Sequence, residues 1–143
     1  MKFRLVASLT LGVILSSTAF AQEFTRTPLP SNHPLVGTWR IELPEQKCFE
    51  EYELRTDGTK LSESGQERNE AEFMISLKPS AKGFYKWMDK ITKNNGMPDC
   101  SGATTPVGHV AENFIRMHSS GSKFLLCEAE DMSSCFAEFT RKR

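Results

Sequence analysis

Charge bias is absent from this chain: 18 Lys and Arg stand against 18 Asp and Glu. Without a basic excess, nucleic acid is not expected as a partner. Histidine is scarce, and His33, His109 and His118 lie far apart, with no i, i+4 pair or Cys/His cluster. Surface histidines are expected, and no metal site. There is no Gly-x-Ser-x-Gly, phosphate loop or dinucleotide fingerprint, so the chain is read as a non-enzyme with no catalytic residues and no cofactor. No internal repeat or low-complexity tract interrupts it. Beyond the N-terminal segment no apolar run reaches spanning length, so no membrane span is expected.

The N-terminal segment has its own character. Lys2 and Arg4 precede an apolar run over 5–15, then Ser-rich residues and Ala19-Phe20-Ala21. This is the pattern of a secretory signal peptide over 1–21 with an A-x-A cleavage site, a retained anchor being the alternative. Cleavage leaves Gln22 first. No cysteine follows the cut, so a lipid anchor is not expected, and losing Lys2 and Arg4 leaves the exported chain slightly acidic. A periplasmic or extracellular location follows. In such an oxidising compartment four cysteines, Cys48, Cys100, Cys127 and Cys135, none in CxxC spacing, imply disulfides. Residues 22–34 read as an extended, mobile arm, and 35–143 as a single domain.

Within that domain the dominant signal is period two. Trp39, Ile41 and Leu43 alternate with Thr38, Arg40 and Glu42. A second strand from about 48 to 56 carries Tyr52 and Leu54 inward, and Thr56-Asp57-Gly58-Thr59 turns it into a third. Residues 70–78 place Ala71, Phe73, Ile75 and Leu77 on one face, although 68–77 also fits a helix, and strand is the preferred reading. A fifth strand after Gly83 aligns Tyr85, Trp87, Asp89 and Ile91 and ends at Asn94-Asn95-Gly96. A sixth runs from about Gly108 to His118. Ser119-Ser120-Gly121-Ser122 leads to a seventh with Leu125 and Cys127 on one face, and an eighth carries Cys135, Ala137, Phe139 and Arg141. The expected fold is all-β, an eight-stranded antiparallel up-and-down β-barrel that removes its own edges.

Gly37-Thr38-Trp39 at the start of the first strand, with Arg141 near the end of the last, resembles the lipocalin and wider calycin pattern. The resemblance spans the domain in topology and a few residues in motif. It implies that Trp39 packs across the closed end of the barrel under the Arg141 guanidinium, a cation–π contact of about 1–2 kcal/mol. In such a meander the odd-to-even loops share one end, which gathers all four cysteines at the mouth, opposite Trp39. Cys127 and Cys135 flank Asp131 symmetrically, and pairing them leaves Cys48 with Cys100. Loop entropy then gives roughly 2.5 kcal/mol for the short bridge and about 4 for the long one. The long bridge would draw the loop between the fifth and sixth strands across the mouth as a tethered flap.

The inward set Tyr52, Phe73, Tyr85, Trp87 and Ile91 either fills the barrel or lines an apolar pocket. Asp89 shares that face, and either reaches water at the rim or meets a cation, such as a ligand amine or a neighbouring lysine. The carboxylates of CFEEYE are read mainly as a charged outer face. Lys78, Lys82, Lys86, Lys90 and Lys93 form an outer basic stripe, a solvated face or a contact for an acidic partner. Two functions follow as expectations: an exported lipocalin-like binding protein for a small apolar or amphipathic ligand, or a solid-packed protein-interaction module such as an inhibitor or envelope accessory protein. The oligomeric state is left open.

Overall fold

The computed structural model describes residues 24–143, so the signal-like segment over 1–21 and Gln22 lie outside the described residues. Eight strands run in sequence order: β1 (Gly37–Leu43), β2 (Cys48–Leu54), β3 (Thr59–Ser64), β4 (Glu67–Ile75), β5 (Phe84–Asn94), β6 (Val110–Met117), β7 (Lys123–Cys127) and β8 (Cys135–Arg141). Each pairs antiparallel with the next, and β1 also pairs with β8, closing an up-and-down barrel. No helix among the described residues is long and apolar enough to cross a membrane.

The strand reading of residues 68–77 holds. Glu67, Asn69, Ala71, Phe73 and Ile75 are buried in strict alternation, which only a strand places on one face. Leu77, expected inward, lies past the strand end and is exposed. In β7, Leu125 and Cys127 share a face as expected, and it is the outer one: they pair with Arg116 and Phe114 of β6, while the inner Phe124 and Leu126 pair with Phe139 and Ala137 of β8. A β-bulge at Phe136 of β8 separates the Leu126↔Ala137 and Cys127↔Cys135 pairs.

The floor explains the opening Gly-x-Trp. Trp39 is wholly buried and donates its indole N–H to the Leu35 carbonyl at 2.9 Å. The Arg141 guanidinium lies 4.1 Å from the Trp39 ring centroid. It donates to the carbonyls of Val36 (2.8 Å), Gly121 (3.2 Å) and Pro34. Gly37 has φ +127°, and a Cβ there would stand 2.7 Å from Arg141 Nη1, so only glycine leaves room for the guanidinium. β1 and β8 pair only at Trp39↔Arg141 and Arg40↔Thr140. Continuing that register would set Glu42 opposite Glu138, a like-charge pair that disfavours further zipping.

The lead-in is extended yet anchored. Thr27 donates its amide to the Phe73 carbonyl at 2.8 Å and Leu29 to Thr56 at 2.9 Å, while Leu29 and Leu35 are buried in the core. His33, expected at the surface, is 5% exposed and packs edge-on against Tyr85 at 5.3 Å. Its Nδ1 accepts from the Leu35 amide, while Nε2 sits near the Ser76 and Leu77 carbonyls without completing a hydrogen bond. Burial lowers its pKa, and those carbonyls only partly offset the effect.

Two outcomes follow. Trp39→Ala should cost about 3–5 kcal/mol by leaving a cavity, and Arg141→Ala about 2–3, because stacking and charge-assisted hydrogen bonds go together. In denaturant melts the double variant should be destabilised by less than the sum. For His33, the unfolded chain takes up its proton more readily than the folded one. Stability should therefore be fully present above about pH 6.5 and decline as the pH falls below it. His33→Asn, which keeps an acceptor for Leu35, should flatten that slope in melts across the range.

Candidate functional site

Aromatic rings stack up the barrel axis from the floor. Trp39 meets Phe124 at 4.8 Å, Phe124 meets Phe139 at 5.0 Å, Phe139 meets Tyr52 at 4.7 Å, and Tyr52 meets Trp87 at 5.9 Å between centroids. Above Tyr52 and Trp87 the column stops, and a chamber of about 220 Å³ opens toward the stapled end.

Alternation continues into the chamber, but its inward residues become polar. β2 contributes Glu50, β3 contributes Lys60, Ser62 and Ser64, and β4 contributes Glu67 and Asn69. Opposite them stand Asp89 and Ile91 of β5 with Ala111 and Asn113 of β6. The Cys48–Cys100 and Cys127–Cys135 disulfides are both formed at this end. The long one ties the β5–β6 loop to the start of β2, and the loop lies on the β3–β4 turn, where Gln66 donates to Pro98 and the Cys100 amide to Ser64 Oγ, each at 3.1 Å. That flap adds Asp99, Thr105 and His109 to the wall.

Lys60 and Asp89 form a buried ion pair, and the Lys60 ammonium lies 4.9 Å from the Tyr52 ring and 5.0 Å from the Trp87 ring. Of the two destinations expected for Asp89, the structure gives it the neighbouring lysine. Glu50 accepts from the Tyr52 hydroxyl and from Ser64 Oγ, both at 2.9 Å. Glu67, 4% exposed, accepts on Oε1 from Asn94 Nδ2 and the Thr105 amide, both at 2.7 Å. Neither glutamate has an ion-pair partner among the described residues. Burial raises the Tyr52 phenol well above its usual pKa, and the charges of Glu50, Asp89 and Glu67 add to it. For Asp99, burial pushes upward, but hydrogen bonds from Ser101, Ala103 and Gly102 outweigh it and hold the carboxyl low.

Of the residues expected to line a pocket, Tyr52, Trp87, Asp89 and Ile91 come together here. Phe73 is wholly buried in the core below, and Tyr85 packs at the floor against His33. The outer-face reading fits Glu51 and Glu53 but not Glu50, whose parity with Tyr52 was the signal for its inward position. Lys60, Ser62, Ser64, Glu67 and Asn69 carried no apolar alternation to mark them. The basic stripe is partly compensated, with Lys86 on Glu112 and Lys93 on Glu70, each at 2.9 Å. No family model, curated protein or solved structure matches the chain.

Removing one member of the buried pair strands the other. Lys60→Met and Asp89→Leu should each cost about 3–5 kcal/mol, and the double variant far less than their sum. Thermal melts of the three variants check this.

Proposed function

We propose that this chain is an exported, lipocalin-like binding protein that takes a small molecule through its stapled end. The observation that carries the reading is the half-filled barrel. The aromatic column packs the floor half solid, while the mouth half holds a chamber under a tethered flap. Pockets of this kind, with a few fixed polar groups over aromatic walls, suit ligand orientation. Two disulfides and the signal-like N-terminus support export. An interaction module would have favoured a barrel filled to the rim. Of the expected ligand types, the wall suits an amphipathic or polar molecule better than an apolar one, since carboxylates and Lys60 would lose hydration against hydrocarbon.

Native mass spectrometry of protein purified from its own source should show a bound species of low mass that denaturation releases. Ser62→Phe, which places a ring in the chamber, should abolish that species while the protein still melts cooperatively. A source protein of bare mass, or a Ser62→Phe variant that retains the species, counts against the reading.

A further inference from the structure

We infer that the chamber selects a small protonated amine that also carries a hydrogen-bond acceptor, an inference that rests on the binding reading above and names its ligand class. Charge is the first ground. Glu50, Glu67, Asp89 and Asp99 face the space against Lys60 and the His109 imidazole, and Lys60 is committed to Asp89. The remaining carboxylates are held in place by neutral donors, so their negative charge is oriented but not neutralised. A buried carboxylate without a counter-ion is unfavourable for folding. An incoming cation would remove that penalty.

The second ground is independent of the acids. Trp87 is 3% exposed and lines the chamber, and its indole N–H is buried without an acceptor. Buried donors are rarely left unpaired, and a hydroxyl or carbonyl oxygen on the ligand would satisfy this one after a small adjustment of the ring. A third ground shows that the walls accept an ammonium. The chain's own Lys60 places one against Asp89 and within cation–π reach of Tyr52 and Trp87. The raised Tyr52 phenol agrees with the negative field of the space. Glu50, Glu67 and Asp99 come from β2, β4 and the flap, and no three metal-binding side chains cluster among the described residues, which suits an extended organic cation better than a metal ion.

The two tryptophans make the test direct. In ¹⁵N-labelled exported chain the Trp87 indole signal reports the chamber, and the Trp39 indole, bonded to Leu35 at the floor, serves as internal control. Titration with 2-aminoethanol should shift the Trp87 signal saturably and leave Trp39 in place. n-Propylammonium, which lacks the acceptor, should bind more weakly. Glu67→Gln, which keeps the shape and the Thr105 contact, should weaken 2-aminoethanol by about tenfold or more. Saturable shifts with acetate, glycerol or calcium chloride but not with the amine would overturn the cation assignment while leaving the binding reading intact. So would equal affinity in Glu67→Gln. No shift with any probe would also overturn the assignment, and the native mass of the source protein then decides separately whether the chamber binds anything.

Discussion

Closure of this barrel depends on one guanidinium. β1 and β8 share only a short stretch of ladder, so the first and last strands are joined chiefly by Arg141, which stacks on Trp39 and caps the carbonyls of Pro34, Val36 and Gly121. Five planar donors suit that geometry, and a lysine ammonium could not reproduce it. The same contact fixes the approach of the lead-in, because two of the three carbonyls it gathers, those of Pro34 and Val36, belong to the chain just before β1. Gly37 is the steric condition for all of this.

With the floor sealed, the interior is divided by side-chain size and polarity. Large rings from β1, β7, β8 and β2 fill the lower half in contact with one another. Smaller polar residues on β3 and β4 leave the upper half open. That division is not what stability alone would favour, since a buried lysine–aspartate pair is often no better than well-packed apolar residues, and uncompensated glutamates are worse. The binding proposal rests on this departure from what stability alone favours. The disulfides at the same end restrain the strands and flap around it.

The floor was legible in the sequence because it obeys simple rules. Gly37, Trp39 and Arg141 have the right spacing and parity, and the four cysteines fall at one end of any eight-strand meander. The chamber was legible only in part. Trp87, Asp89 and Ile91 lie on a strand with aromatic and aliphatic neighbours, which revealed its inner face. Lys60, Ser62 and Ser64 lie on a strand whose inner face has no apolar residue, so period two gave no phase. Glu67 and Asn69 precede the apolar part of β4 and fall outside the strand expected over 70–78. His33 was read as a surface residue because nothing in composition marks where a lead-in folds back under a barrel.

The account turns on a barrel that is packed at one end and hollow and polar at the other. A crystal structure of residues 24–143, at a resolution that shows ordered solvent, tests this most directly. The account predicts waters or a bound molecule against Glu50 and Glu67, with Lys60 on Asp89 beneath them. A dry interior, with the Tyr52 and Trp87 rings swung upward to fill the space and Lys60 turned out to solvent, would contradict it.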